Sequence, residues 1–352
     1  MTETSRQGNF DFIRLTAAFM VLIGHAFLIM GKQSPTFLGI EISVFGVMIF
    51  FSISGYLVSE SWIRDPSVMR YMVRRSLRIF PALVAVILLS TFLLGPVFTT
   101  LSYHDYFTNR QTYAYLENIF LVTQRSLPEV FKNNPQSLRV NDSLWTLPIE
   151  LLMYLFLPVL AFLHGQKNAL IFAALTIFIA LIFTFYLPMI GGGEITQNSS
   201  IYLVELIIFE VAKVSMFFMA GVFIRYVFMA LKPPLVLATS LFFCTVGMYY
   251  LADINLYLLY VSLAFSLPFF VNALGESPKV RLPSLNRVGD LSYGFYLYAF
   301  PIQQIIAHFF IGKISVFTAI VMAVIPTACF AYVSWHLLEK RALILKTKLH
   351  IG

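Results

Sequence analysis

Ten continuous apolar runs constrain this chain more than any other feature of its sequence. Each run is about 20 residues long, the length at which an α-helix crosses the hydrocarbon core of a bilayer. The strands of a membrane β-barrel would alternate apolar and polar residues over about ten positions, and these runs do not alternate. The sequence therefore predicts an all-α fold, a polytopic bundle of about ten membrane-spanning helices. The expected spans are 10–30, 39–60, 80–99, 143–163, 169–188, 203–224, 235–251, 256–272, 291–311 and 314–337.

The composition excludes a soluble globular protein. Of the 352 residues, 59% are hydrophobic and 12% are charged, whereas an ordinary soluble domain carries about 25% charged residues. The net charge of +7 therefore reflects membrane topology, and we predict no nucleic-acid partner. Cys244 and Cys329 both lie inside apolar runs and predict no disulfide framework. The chain shows no spacing of His, Cys, Asp and Glu that is typical of a metal site.

The distribution of basic residues predicts the orientation of the bundle. With ten spans and a cytoplasmic N-terminus, most of the 24 lysines and arginines fall on the cytoplasmic side, as the positive-inside rule requires. Both termini are then cytoplasmic, and residues 338–352 form a basic tail that is too short to fold by itself. Residues 100–142 form a long extracytoplasmic loop, in which 113–122 is predicted to be an amphipathic helix at the membrane interface. The chain 1–352 is predicted to be a single transmembrane domain.

Two polar residues of the first span are functional candidates. Arg14 lies near the cytoplasmic end of this run, and His25 lies well inside it. Eleven residues of helix separate the two by about 16 Å along the axis and place them on nearly the same face. A cation or an imidazole in hydrocarbon is costly unless it faces a partner or water, so such residues commonly carry function. The structural alternative is an arginine that pairs with Asp11 or reaches the membrane surface, and a histidine satisfied by a neighbouring helix.

Two further motifs add an arginine cluster and a carboxylate. Arg75 and Arg78 precede the third span and lie three residues apart, hence on one helical face. Guanidinium groups suit phosphate, so these residues and Arg14 predict a cytoplasmic clamp for a phosphorylated donor. The alternative is a basic cluster that serves topology and lipid headgroups. Glu150 lies in the outer half of the fourth span, where we expect it to meet His25 and either to orient it as a general base or to stabilise its charge. The alternative is a purely structural His–Glu pair.

Other polar groups within the spans favour structural roles. Glu210 and Lys213 lie three residues apart and predict an ion pair. The segment Phe51–Tyr56 is rich in small residues and predicts close helix packing. Its serines, Ser52 and Ser54, show no activating base in the sequence, so we nominate no serine nucleophile.

Together these motifs resemble the acyltransferase-3 family of integral membrane acyltransferases, which includes bacterial O-antigen and exopolysaccharide O-acetyltransferases. The resemblance covers essentially the whole chain, and it is specific because six motifs occur in this order among ten spans. The motifs are Phe10-Asp11-Phe12-Ile13-Arg14 followed by His25, Phe50-Phe51-Ser52-Ile53-Ser54-Gly55-Tyr56-Leu57, Arg74-Arg75-Ser76-Leu77-Arg78-Ile79-Phe80-Pro81, Ser143-Leu144-Trp145-Thr146-Leu147-Pro148-Ile149-Glu150, Asp290-Leu291-Ser292-Tyr293-Gly294-Phe295-Tyr296-Leu297-Tyr298 and Glu339-Lys340.

The resemblance implies an enzyme that moves an acyl group, usually acetyl from cytoplasmic acetyl-CoA, to a sugar hydroxyl of a cell-surface polysaccharide or lipid-linked glycan. The residues tied to activity in the family correspond here to Arg14, His25, Arg75 and Arg78. Many members carry a His where this chain has Ala299, so any role of that His does not transfer. The resemblance also implies a multi-pass protein of the bacterial inner membrane, with membrane lipids, acetyl-CoA as acyl donor and a saccharide acceptor as its partners.

Several alternatives remain open at the level of sequence. The predicted role of His25 is either general base or transient acyl carrier, the acyl group is acetyl, succinyl or longer, and the protein is a monomer or a homodimer. The rival from another class is a transporter or lipid-linked-sugar flippase, in which the buried His, Glu and Lys side chains form a proton relay. Transporters often contain internal repeats, and this sequence shows none, which favours the enzyme.

Overall fold

The described part of the chain covers most of the predicted spans. The apolar runs within it are helical, as expected for segments that must pair every backbone N–H and C=O internally in hydrocarbon. The computed structural model describes residues 3–164, 171–172, 174–179, 182, 200–228, 232–252, 254–285 and 288–348.

Long helices account for most of these residues, and short helices fill the connections. A two-residue antiparallel strand pair, β1 with β2, joins the first two long helices. Short π-helical stretches connect α3 to α4 and α12 to α13. The elements are α1 (Glu3–Ile29), β1 (Thr36–Phe37), β2 (Ile40–Glu41), α2 (Ile42–Arg64), α3 (Val68–Leu89), α4 (Gly95–Phe98), α5 (Tyr103–Thr108), α6 (Arg110–Ala114), α7 (Thr146–His164), α8 (Ser200–Val227), α9 (Leu235–Ala252), α10 (Leu256–Glu276), α11 (Ser292–Phe310), α12 (Val316–Ser334) and α13 (Lys340–Lys348).

Seven helical stretches in the described part of the chain are long and apolar enough to cross a membrane. They coincide with seven of the predicted spans, so a helical protein with several membrane-spanning helices is confirmed. Of the remaining predicted spans, 203–224 lies on α8, 291–311 lies on α11, and 169–188 falls largely outside the described residues. The count of ten spans and the cytoplasmic position of both termini stay predictions. The seven stretches are Asn9–Ile29, Ile42–Arg64, Val68–Phe98, Asp142–Ala161, Leu235–Ala252, Leu258–Glu276 and Val316–Leu345.

Helices α2 and α8 approach each other closely where both carry glycine. A Cβ atom built on Gly55 would lie 2.0 Å from the carbonyl oxygen of Phe218, and one built on Gly221 would lie 2.3 Å from the carbonyl oxygen of Ser52. Only a residue without a side chain fits at such a backbone contact. The close packing predicted for the segment Phe51–Tyr56 is therefore confirmed.

Helix α11 runs beside α1 in the same direction. About three turns into α1, Arg14 Nη1 lies 3.5 Å from Oδ2 of Asp290, which lies just before the start of α11. Three helical turns further along α1, the ring of His25 meets the ring of Phe300 with centroids 5.1 Å apart. This parallel pairing places both polar residues of the first span against one neighbouring helix.

Two ion pairs predicted within the spans are present. Lys213 Nζ lies 2.7 Å from Glu210 Oε1 on α8. Arg14 Nη1 lies 3.6 Å from Asp11 Oδ1 on α1. The pairing of Arg14 with Asp11, which the sequence offered as a structural alternative, is therefore present.

Two segments are more helical than predicted. Helix α3 begins at Val68, so Arg75 and Arg78 lie on it rather than in a loop before it; arginine is a good helix former, and the helix extends beyond its apolar part. The tail 338–352 was expected to be too short to fold, but residues 340–348 form α13. Because α13 continues from α12 through a π-helical turn, it avoids the cost of starting a new helix.

The predicted interfacial helix at 113–122 is only partly α-helical. Helix α6 ends at Ala114, and a 3₁₀ segment continues from Tyr115 to Phe120. Leu121 then adopts a left-handed conformation with φ of +62°, which ends the segment. The loop therefore contains short helical pieces in place of one amphipathic helix.

Candidate active site

A cavity of about 100 Å³ lies between α1, α2, α3, α7 and α11. It gathers four of the predicted site residues, because Arg14, Arg75, Arg78 and Glu150 all line it. Complete small-molecule sites commonly have volumes of about 300–1,000 Å³. The cavity therefore has room for a small ligand or for one end of a larger one.

Arg78 has carboxylate partners. Its Nη2 donates to Asp290 Oδ2 at 2.5 Å, and its Nη1 lies 3.7 Å from Glu339 Oε2. Arg14 approaches the same Asp290 at 3.5 Å. Burial raises the pKa of Asp290, but Arg78 and Arg14 outweigh burial and bring this pKa down to about 2. The carboxylate therefore stays ionised and joins α1, α3 and the start of α11.

Arg75 differs from its neighbour in the charge around it. Among the described residues, its hydrogen bond goes to Ser61 Oγ at 3.4 Å, and no carboxylate lies within ion-pair distance. Its guanidinium carbon lies 5.9 Å from the ring centre of Tyr71 and 5.8 Å from that of Tyr154. The buried Nε atom has no hydrogen-bond partner in the described part of the chain. Arg75 is thus a cation in the cavity wall that can accept an anion without first releasing a carboxylate.

Glu150 faces the same cavity and is held by two hydroxyl groups. Ser54 Oγ donates to Glu150 Oε1 at 3.2 Å, and the hydroxyl of Tyr154 donates to the same oxygen. Ser54 Oγ also lies 2.9 Å from the Tyr154 hydroxyl. Sequence reasoning found no base near Ser54, because a carboxylate nearly one hundred residues away in sequence cannot be assigned to it by spacing.

His25 lies apart from this network. It is half-buried, it does not line the cavity, and it forms no hydrogen bond with Glu150. The predicted direct contact between His25 and Glu150 is therefore not made. In the described part of the chain, the buried Nδ1 atom of His25 has no hydrogen-bond partner. The structure thus separates an arginine- and carboxylate-lined cavity from a histidine with a free ring nitrogen.

A pair of hydroxyl groups from α7 and α11 lines the cavity. Thr146 Oγ1 and Tyr296 Oη lie 2.6 Å apart, and the ring of Phe50 meets the ring of Tyr296 with centroids 5.7 Å apart. Phe300, which contacts His25, follows Tyr296 by four residues, about one helical turn of α11. His25 therefore contacts α11 about one helical turn away from Tyr296, which lines the cavity.

Asp290, Tyr154 and Ser54 take part in this site, although none of them was predicted from the sequence as a site residue. Asp290 follows Gly289, whose φ is +91°, and accepts from the Ser292 backbone N–H at 3.2 Å, the pattern of a helix start. Tyr154 lies four residues after Glu150 and so on the same helical face. The short spacings of Asp290 from Ser292 and of Glu150 from Tyr154 were visible in the sequence, whereas the contact with Ser54 depends on the packing of α2 against α7.

Comparison with known proteins supplies the family. Residues 7–336 match the family model described as an acyltransferase domain. The chain is 29% identical over 336 residues to an O-acetyl transferase of Shigella phage Sf6, covering 95% of each chain. It is also 29% identical over 373 residues to nodulation protein 10 of Rhizobium leguminosarum bv. viciae, covering 99% of this chain and 96% of the relative. No solved structure matches the chain significantly. Because the family match spans nearly the whole sequence, the chain belongs to the acyltransferase-3 family of membrane acyltransferases.

Proposed function

We propose that this acyltransferase moves an acetyl group from cytoplasmic acetyl-CoA to a hydroxyl of a cell-surface polysaccharide or lipid-linked glycan. The observation that carries the proposal is the cavity that Arg75 and Glu150 both line. Among the described residues, Arg75 has no carboxylate within ion-pair distance, so its cation is available to a ligand. The O-acetyl transferase relative favours acetyl as the acyl group. A bacterial inner membrane is the proposed location, since it places the donor and the acceptor on opposite faces.

The donor binds through its phosphates at the arginines. Arg75 makes the direct contact, because a guanidinium binds phosphate through paired N–H groups and no carboxylate of the described residues has to be displaced from it. Arg14 and Arg78 add positive charge to the phosphate site, and Asp290 holds both of their side chains in place. The nucleotide stays outside the small cavity, and the pantetheine arm with its thioester enters it.

Polar groups inside the cavity then guide the arm. The proposed role of Glu150 is to accept a hydrogen bond from an amide N–H of the pantetheine, with Ser54 and Tyr154 fixing the carboxylate. Tyr296 moves away from Thr146 so that the thioester reaches His25. In this proposal Glu150 therefore binds the donor. It does not orient His25 directly, as the sequence suggested.

His25 performs the chemistry. Neutral imidazole takes the proton of the acceptor hydroxyl as general base while the hydroxyl oxygen attacks the thioester carbonyl. A C–O ester bond forms, the C–S bond breaks, and the departing thiolate takes the proton back from the imidazolium. A transient acetyl-imidazole is the second form of the same proposal, in which His25 attacks the thioester first.

The test uses purified protein in lipid nanodiscs, radiolabelled acetyl-CoA and alkali-deacetylated surface polysaccharide from the producing bacterium. We expect His25→Ala to reduce acetyl transfer at least about 100-fold, the lower end of what a positioned general base contributes. His104→Ala is the matched control, because His104 is exposed in the outer loop. Full activity of the His25 variant would overturn the mechanism.

Thermal unfolding separates this proposal from the transporter alternative. A donor that binds the folded protein raises its unfolding temperature. We expect CoA to stabilise the purified wild-type protein. A transporter or flippase of lipid-linked sugars would gain no stability from CoA, and that result would reject the acetyl-CoA site.

A further inference from the structure

Gln303 on α11 presents a buried hydrogen-bond acceptor beside His25. The side chain is 3% exposed, and its Nε2 donates to the carbonyl oxygen of Leu22 on α1 at 2.7 Å. Its Oε1 atom is buried and, among the described residues, has no hydrogen-bond partner. Leu22 precedes His25 by one turn of α1, and Phe300, which contacts the imidazole, precedes Gln303 by one turn of α11.

The orientation of the Gln303 amide is fixed by chemistry. The oxygen and nitrogen of a glutamine side chain are hard to tell apart by shape, so the hydrogen-bond partners must assign them. A carbonyl oxygen only accepts, so the atom that faces Leu22 must be the NH₂ group. The oxygen consequently points away from this contact, where the structure leaves it without a donor.

The neighbouring Gln304 shows what a purely structural glutamine looks like here. Its Nε2 donates to the carbonyl oxygens of Gln136 at 2.9 Å and Arg139 at 2.6 Å. Its Oε1 accepts from Asn134 Nδ2 at 2.7 Å. All of its polar atoms are used to hold the outer loop over α11. Gln303 is similarly buried, and its Nε2 has a hydrogen-bond partner. Its Oε1 has none among the described residues.

A buried acceptor without a donor costs free energy, and native proteins contain few of them. Two such atoms, Gln303 Oε1 and His25 Nδ1, belong to neighbouring contacts of α1 with α11, because Gln303 contacts Leu22 and His25 contacts Phe300. Both are acceptors when the imidazole Nδ1 carries no proton. A ligand that satisfies both must bring two donors side by side, as two neighbouring hydroxyl groups of a sugar do.

We propose that Gln303 and His25 together bind two adjacent hydroxyls of the saccharide acceptor. The hydroxyl to be acetylated donates to His25 Nδ1, and its neighbour donates to Gln303 Oε1. Gln303 thereby selects a saccharide with vicinal hydroxyls and orients it towards the base. This assignment rests on the proposed function, because it takes His25 as the base and a sugar as the acceptor.

The experiment measures acetyl transfer from radiolabelled acetyl-CoA to alkali-deacetylated surface polysaccharide of the producing bacterium, in nanodiscs. Gln303→Met keeps the length of the side chain and removes the acceptor. Leu22 O retains its helical partner, so the substitution leaves no orphaned backbone group on α1. We expect KM for the polysaccharide to rise at least about tenfold, the effect of one lost hydrogen bond at a buried site, with KM for acetyl-CoA unchanged.

The control variant is Thr327→Val, because the Thr327 hydroxyl on α12 is also buried without a partner in the described part of the chain. It should leave both KM values unchanged. An unchanged polysaccharide KM in Gln303→Met, or a rise confined to the KM of acetyl-CoA, would overturn the proposal. If Gln303→Met does not accumulate in membranes, Gln303→Leu is measured in the same way.

The two proposals fail differently. If the wild-type protein transfers no acetyl group to the polysaccharide and gains no thermal stability from CoA, the proposed function fails and this inference fails with it. If the wild-type protein is active and both Gln303 variants match its polysaccharide KM, only the acceptor site is refuted.

Discussion

Arg78 Nη2 donates to Asp290 Oδ2 at 2.5 Å, and this contact ties α3 to the turn that precedes α11. Arg75, one turn earlier on α3, lines the same cavity without a carboxylate within ion-pair distance in the described part of the chain. Two arginines of one motif therefore have different surroundings. The first is positioned to stabilise the fold, and the second is free to bind an anion.

Arg75→Ala should weaken donor binding without weakening the fold. We expect KM for acetyl-CoA to rise at least about tenfold, because a hydrogen bond to a charged group contributes about 1.5–3 kcal/mol. The unfolding temperature without ligand should change little. Arg75→Lys should recover only part of the affinity, since an ammonium lacks the planar fork that binds phosphate. The measurement is a steady-state titration of acetyl-CoA.

Arg341→Ala is the matched control for Arg75, because it removes the same charge from an exposed position near the same end of the bundle. It should leave KM for acetyl-CoA unchanged. Equal effects of the two substitutions would show that only overall charge matters, and the assignment of Arg75 would then be wrong.

Arg78→Ala should destabilise the protein. Removing one member of a largely buried ion pair leaves the other charge uncompensated, at a cost of about 3 kcal/mol. Asp290→Asn removes the carboxylate that Arg78 contacts, so the double variant should be less destabilised than the sum of the single variants. Thermal unfolding in detergent of the wild type, both single variants and the double variant gives this comparison. Additive losses would show that the two side chains do not interact in solution.

The depressed pKa of Asp290 predicts how stability changes with acidity. The carboxyl has its pKa at about 2 in the fold, against an ordinary value of 3.8. A lowered pKa means that the ionised form favours the folded state, so this stabilisation is complete above about pH 4 and is lost as the pH falls towards 2. The unfolding temperature of the wild type should fall through this window, and that of Asp290→Asn should fall less. Identical pH profiles would exclude Asp290 as a contributor.

The helix positions and the family could be predicted from the sequence, because both depend on apolar runs and short motifs. A run of about 20 apolar residues specifies a spanning helix wherever it packs. The Phe51–Tyr56 segment predicted close packing because small residues allow any neighbouring helix to approach closely. The four cavity residues Arg14, Arg75, Arg78 and Glu150 were named for their chemistry in apolar surroundings.

The pairing of side chains was harder to predict, because it depends on how helices rotate and slide against each other. Glu150 was expected beside His25 on depth alone, but α7 turns it towards Ser54 and Tyr154. Gln303 gave no signal, since nothing in the sequence distinguishes it from Gln304. Only the tertiary contacts show that one amide is fully used and the other is not.

Gly55→Ala should disrupt the bundle at the contact of α2 with α8. The added Cβ would lie 2.0 Å from the carbonyl oxygen of Phe218, and backbone atoms cannot yield as a flexible side chain does. We expect a loss of at least about 2 kcal/mol, within the range for overpacked interiors. Gly247→Ala on α9 is the control, because its Cβ would meet no atom of the described residues within 4 Å. That substitution should be neutral or stabilising by up to about 1 kcal/mol, since alanine favours helix over glycine. Thermal unfolding and membrane abundance of the two variants provide the measurement, and equal stability would contradict the packing of these two helices.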